Sequence, residues 1–285
     1  MNLGKIGIIG LGYLSSFLYK KLNKKFQLEI FSSFKTKKLN NVKEIYKDSR
    51  EFNPYLSSLD TLIICSSFFL GGNVSRKIYK KYESYVENII KFISPENLIY
   101  ISSSSVYGFT SENSAFKENS ILNGTSDYAL EKINCEKMLL RLHKQNFFAN
   151  CVILRPSNIY GINTNFAPKR GLLNKLKKNI DDSFKFKIWG NMENLNDFIH
   201  ISDFSSALNN ILLEGFSKIN IYNVGSGNAI KLGEIYDFHQ KHFSTENLEI
   251  FFDNSKVENN FLDISKLENH INFSPNIHWT SYPSK

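Results

Sequence analysis

Along the first half of the chain, short β-branched and apolar runs alternate with longer stretches whose apolar positions recur at helical spacing. "KIGIIG" (5–10) predicts a strand, and "LGYLSSFLYKKLNKKF" behind it a helix. "QLEIFSS" predicts a second strand. "TLIICSS" (61–67) predicts a third, its unbroken apolar run suiting a strand covered on both faces. "YESYVENIIKFI" reads as an amphipathic helix and "NLIYISSSS" as a fourth strand. "SDYALEKINCEKMLLRLHKQ" is a long helix with Asp127 near its start and basic residues near its end, as the helix dipole favours. "NCVILRPSNIYG" predicts a fifth strand running into a loop. Such alternation implies an α/β fold built on a doubly wound parallel sheet.

Beyond Gly161 the alternation weakens. "GINTNFAPKR" reads as loop, "GLLNKLKKNI" as helix, and "KFKIWG" and "DFIHISDF" as short strand-like pieces. "SDFSSALNNILLEG" predicts a helix capped by Ser202, and "INIYNVGSG" a further strand ending in glycines. The remaining C-terminal residues mix one helix with polar loops. The pattern divides the chain into a nucleotide-binding core, 1–162 with 197–226, and a smaller substrate lobe, 163–196 with 227–285.

A hydrophobic content of 42% allows a sizeable core and argues against disorder. The net charge of +8 comes from scattered lysines without the aromatic interleaving of a single-strand binder. A nucleic-acid partner is therefore not expected, whereas a positive field suits a small phosphate-bearing ligand. Cys65, Cys135 and Cys151 are far apart, and the histidines are ungrouped, so neither a disulfide framework nor a metal site is expected. This cysteine usage fits a reduced, cytoplasmic location. The run "IGIIGLGYLSSFLY" is broken by glycines and too short to span a bilayer, so no membrane association is expected.

"GLGYLS" follows the first strand and opens a helix, the context of a dinucleotide-binding turn in a Rossmann-type fold. Gly10 permits the tight turn and Gly12 lets backbone amides approach a pyrophosphate, with Tyr13 and Leu14 in the opening helical turn. Ser15 stands where a third glycine is usual. The second strand ends in Ser32 and Ser33, followed by Lys35, Lys37 and Lys38, and Glu29 falls too early to meet a ribose. Hydroxyls and ammonium groups suit a 2′-phosphate, so NADP is expected, with NAD left open. "ISSSSVYG" ends the fourth strand, at the sheet edge where ligands bind. Tyr128 and Lys132 lie one helical turn apart and face the same way. An ammonium so placed favours phenolate, which makes a tyrosine usable as general acid or base.

"GLGYLS", "ISSSSVYG", "YALEK", "LRPSNIYG", "NDFIHISDF", "YNVGSGNAIKLGEI" and "LDISKLENHINFSP" occur in an order that resembles the extended short-chain dehydrogenase/reductases, specifically their sugar-nucleotide epimerase/dehydratase branch. The resemblance implies a triad of Ser103, Tyr128 and Lys132. It implies cofactor contacts from Asp48, Ser66, Ser67 and Pro156, and substrate contacts from Ser104 and Asn158. It also implies a nucleotide-sugar substrate and, as in many relatives, a homodimer formed through helices flanking the sheet. Two departures narrow it. Dehydratases of the family carry Asp-Glu after the catalytic hydroxyl residue, where this chain has Ser104 and Ser105. Asn196 replaces an arginine that grips the substrate diphosphate, and a second family arginine is missing from "KVENNF". Lys169, Arg170 or Lys256 are the basic residues left for that task. His200, in a family strand, is expected to be packed rather than catalytic. The implied function is NADPH-dependent reduction of a keto group on a nucleotide-activated 4-keto-6-deoxy sugar. An NAD-dependent sugar-nucleotide epimerase and a non-catalytic NAD(P)-binding protein are the alternatives.

Overall fold

The apolar runs form the strands they predict. The computed structural model describes residues 3–33, 41–46, 51–67, 77–162, 166, 171–182, 186–244, 248–252 and 256–283. The core alternates strand and helix: β1 (Ile6–Ile9), α1 (Tyr13–Leu22), β2 (Leu28–Ser32), β3 (Val42–Glu44), β4 (Thr61–Ile64), α2 (Lys77–Ile93), β5 (Asn97–Ile101), α3 (Asp127–Lys144) and β6 (Asn150–Pro156). There follow β7 (Asn158–Tyr160), α4 (Leu172–Asp182), β8 (Phe186–Gly190), β9 (Leu195–Asn196), β10 (Phe198–His200) and α5 (Ile201–Glu214). The chain continues through β11 (Ile219–Val224), β12 (Ile230–Lys231), α6 (Leu232–His242), β13 (Leu248–Phe252) and α7 (Ser265–Ile271).

Seven strands form one parallel sheet in the order β11-β6-β5-β4-β1-β2-β3. Successive side chains of a strand point to opposite faces, and here both faces are apolar. Ile8, Ile63, Ile99 and Val152 pack with α1, α5 and α7 on one side. Ile9, Ile64, Tyr100 and Ile153 pack with α2 and α3 on the other. This is the doubly wound arrangement the alternation predicts. All carboxyl ends of the sheet strands share one edge, and the loops that leave it carry the candidate chemistry. The short pairs β10–β7, β12–β9 and β13–β8 lie outside the main sheet, and Tyr160 of β7, Phe198 of β10 and Ile230 of β12 pack in a third apolar cluster with Leu176, Ile235 and Trp279.

Several readings change. β3 was not expected; it is a short edge strand whose Lys43 and Glu44 give it a polar look. The fifth predicted strand is two. Pro156 ends β6, as a residue without an N–H does, and β7 leaves the sheet to pair with β10. The cap of α5 is His200, whose Nδ1 accepts the Ser202 N–H at 3.2 Å, so Ser202 lies inside the first turn. The described residues of the C-terminal region hold two α-helices, α6 and α7, rather than one.

Candidate active site

The turn after β1 is built for close approach. Gly10 has φ of 101°, and a Cβ there would sit 2.9 Å from the Ser66 backbone, so only glycine fits. Gly12 opens α1, and nothing lies within 4 Å of where its Cβ would be. That open space beside a helix N-terminus suits a dinucleotide pyrophosphate. Ser15, in the third glycine's place, is buried and its Oγ accepts the Gly12 N–H at 2.9 Å. The Tyr13 hydroxyl donates to Gly161 O at 2.9 Å, tying the turn to the end of β7. Leu14 packs its side chain against the core.

Ser32 is buried at the carboxyl end of β2 and Ser33 is exposed beyond it. Glu29 lies near the amino end of the same strand, paired with Lys43 at 2.6 Å and Lys5 at 3.3 Å, well away from that edge. Lys35, Asp48, Lys169 and Arg170 lie outside the described residues.

Five sequence-predicted residues lie where β4, β5 and α3 meet. Ser66 follows β4, and its carbonyl accepts the Tyr82 hydroxyl of α2 at 2.5 Å. Ser67 donates to Glu131 Oε1 at 2.6 Å. Lys132 is buried, and its Nζ donates to Ile101 O at 3.0 Å and Ser66 O at 3.5 Å. The same ammonium lies 5.6 Å from the centre of the Tyr128 ring and 4.9 Å from that of Tyr100. Tyr128 is half-buried, as is Ser103 just beyond β5. Ser103 caps a short 3-10 turn, Ser104–Tyr107. Its Oγ accepts the Ser105 N–H at 3.2 Å and the Ser105 hydroxyl at 3.0 Å. With both acceptor positions taken from inside, the Ser103 proton is the part left to point outward.

On the substrate side, Ser104 is buried and its carbonyl accepts Asn260 Nδ2 at 3.2 Å. Asn260 also bridges to Asn196, whose Nδ2 donates to Asn194 O at 3.2 Å. Pro156 sits at the carboxyl end of β6, and Asn158, two residues on, donates Nδ2 to Asp197 O at 3.0 Å. Lys256 is exposed and lies 3.5 Å from Glu258. His200 is buried with its ring edge against Tyr160, centroids 5.1 Å apart, the packed role expected of it.

The Asp197 side chain is fully buried. Its Oδ1 accepts the Ser226 N–H at 2.9 Å and the Ser226 hydroxyl at 2.7 Å. Burial pushes its carboxyl up to about 6, against the pull of the Ser226 hydrogen bonds. Oδ2 and the Ser157 hydroxyl are both buried without a hydrogen-bond partner among the described residues, Ser157 lying close enough to act weakly on the carboxylate but short of a bond. The sequence reading gave this residue no role, and named Ser105 only as a departure from the dehydratase pair. The signal for Asp197 was an acidic residue directly before the short apolar strand β10.

Residues 73–225 match the family described as "NAD dependent epimerase/dehydratase family". That match spans more than half of the chain. The protein belongs to the NAD dependent epimerase/dehydratase family. Among relatives of this family member, ADP-L-glycero-D-manno-heptose-6-epimerase of Brachyspira hyodysenteriae is 31% identical over 250 residues, covering 79% of this chain and 77% of its own. The dTDP-4-dehydro-6-deoxy-D-allose reductase of Streptomyces bikiniensis is 24% identical over 233 residues, covering 76% and 70%. UDP-glucuronic acid 4-epimerase from Bacillus cereus shares the fold, with a TM-score of 0.78 at 19% identity over 98% of this chain and 97% of that one. The family is the one the motif order resembles. Among the described residues, no helix is long and apolar enough to cross a membrane and no group of three His, Cys, Asp or Glu could hold a metal.

Proposed function

We propose that the protein is an NADPH-dependent reductase acting on the keto group of a nucleotide-activated sugar, most specifically a 4-keto-6-deoxy sugar. One observation carries the reading: Lys132 lies beside Tyr128 and bonds Ile101 O at the end of β5, two residues before Ser103, while serines occupy the positions of the dehydratase acids. The names of two relatives, both dTDP-4-dehydro-6-deoxy-D-allose reductases, support the same substrate class. The serine-ended β2 and the lysines that follow it support a 2′-phosphate on the cofactor.

When bound, the cofactor supplies a hydride to the carbonyl carbon. The turn at Gly10–Leu14 would receive the pyrophosphate, and Ser66, Ser67 and Pro156 would line the path to the nicotinamide. Reduction at that carbon would shift the carbonyl π electrons onto oxygen. Ser103 donates a hydrogen bond to that oxygen, and Tyr128 gives it a proton to complete the alcohol. Lys132, held by Ile101 O and Ser66 O, places its positive charge beside the phenolate that remains. Residues 163–196 and 227–285 would form the substrate lobe, from which Asn196 would face the sugar nucleotide, with Ser104 and Asn158 meeting it from the core. Lys169 and Arg170 are proposed to meet its diphosphate.

Loss of NADPH absorbance with a panel of dTDP- and UDP-linked 4-keto-6-deoxy sugars is the test. Stoichiometric oxidation that disappears in Tyr128→Phe is expected, and unchanged absorbance across the panel overturns the reading. The second reading, an epimerase, is favoured by the 31% identity to a heptose epimerase. Tightly bound NAD and substrate isomerisation without net oxidation would identify it.

A further inference from the structure

Tyr128, Lys132 and Glu136 are successive positions on one stripe of α3, each one turn from the next. The first two face the candidate reaction centre. The third is almost wholly buried against β6, where Arg155 grips it with two bonds, Nε to Oε1 at 3.1 Å and a second nitrogen to Oε2 at 2.6 Å. Ser102, directly before Ser103, donates to the same Oε1 at 2.5 Å. The other arm of Arg155 donates to the Tyr107 hydroxyl at 2.9 Å, at the far end of the serine turn. Tyr107 in turn donates to Asn223 of β11 at 2.6 Å.

Both ends of the turn that carries Ser103 are therefore tied, through Arg155 and Glu136, to the helix stripe that carries Tyr128. We propose that the Glu136–Arg155 pair is a positioning clamp: it sets the rotation of α3 against the serine turn, so that the Tyr128 and Ser103 hydroxyls address one substrate oxygen. Stability alone is a poor reason to bury such a pair. Apolar residues of similar size often replace a buried ion pair at no cost, whereas removal of one partner strands the other charge. Geometry is a better reason, because a displacement near 1 Å in a reacting group can cost about 100-fold in rate.

The inference rests on reading Ser103, Tyr128 and Lys132 as the reacting groups, so its test has two arms. The double variant Glu136→Leu/Arg155→Met removes both charges together and avoids the stranded charge of either single change. Expected is a folded protein whose NADPH affinity stays within about threefold while kcat falls roughly 10- to 100-fold. Its crystal structure should show the Tyr128 hydroxyl displaced from its wild-type position relative to Ser103 by about 1 Å or more. Wild-type kcat in the double variant, or superposable Tyr128 and Ser103 hydroxyls, overturns the clamp. If the wild-type enzyme turns over no keto sugar, the proposed reaction fails, and the crystallographic arm alone still decides whether Glu136 and Arg155 set the geometry.

Discussion

At the scale of single residues, the candidate chemistry depends on which way one proton points. Ser103 Oγ receives two hydrogen bonds from Ser105, so the hydroxyl is set up as a donor toward the cleft. Ser103→Ala removes that donor and should lower kcat about 100- to 1,000-fold, the cost of losing one stabilising group on a developing oxyanion. Ser105→Ala leaves the backbone N–H in place and removes only the second orienting bond. About fivefold in kcat is expected, the worth of one ordinary hydrogen bond, with the KM for NADPH unchanged. Steady-state kinetics of the two variants checks the ordering, and equal losses would overturn the orienting role of Ser105. Tyr128 and Lys132 were legible in the sequence because their spacing puts them on one helix face. Glu136 and Arg155 were not. A carboxylate on an amphipathic helix reads as solvent-facing, and only an arginine inside the apolar run "CVILRP" hinted at a buried partner.

At the scale of elements, the strands with unbroken apolar runs were legible, because burial on both faces leaves no other pattern. The edge strand β3 was not, since half of it is solvated and its pairing to β2 rests on backbone bonds. The outer pieces are joined by side-chain ties that no periodicity reveals. Buried His239 of α6 is one: its Nδ1 lies 2.7 Å from the Tyr282 hydroxyl and its Nε2 3.3 Å from Asn179 Oδ1 of α4. In the neutral ring Nε2 donates to the Asn179 amide oxygen, and Nδ1 accepts from the Tyr282 hydroxyl. Burial lowers the His239 pKa below its ordinary value. The unfolded chain then binds the extra proton more readily, so this tie contributes fully above about pH 6.5 and is lost as pH falls through the folded-state value. His239→Gln, which cannot be protonated, should lose less stability than wild type between pH 7.5 and pH 5 in denaturant titrations. Parallel losses in both proteins would remove His239 as the sensor.

At the scale of the whole molecule, two buried groups respond to acid with opposite signs. Asp197 joins the segment before β10 to β7 through its backbone carbonyl, which accepts Asn158 Nδ2, and to the loop after β11 through its side chain, which accepts from Ser226. Its folded-state pKa is raised to about 6, whereas an unfolded aspartate titrates near 3.9. Between those values the folded chain holds the extra proton, so stability on account of Asp197 is full below about pH 4 and declines as pH rises to 6. A shift of roughly two units corresponds to about 3 kcal/mol. The His239 contribution runs the other way, so the wild-type profile is flattened where the two overlap. Asn imitates the protonated acid: its carbonyl can take both Ser226 bonds, and its amide can face the Ser157 hydroxyl that lacks a partner. Asp197→Asn should therefore match wild type near pH 4 and exceed it at pH 7.5 by up to about 3 kcal/mol. With the opposing Asp197 response gone, the variant should also lose stability more steeply on acidification than wild type does. Urea unfolding of both proteins across pH 4 to 8 measures the difference directly. A variant less stable by a constant amount at every pH would mean that Asp197 is ionised throughout and that its carboxylate, not its neutral form, holds these segments together.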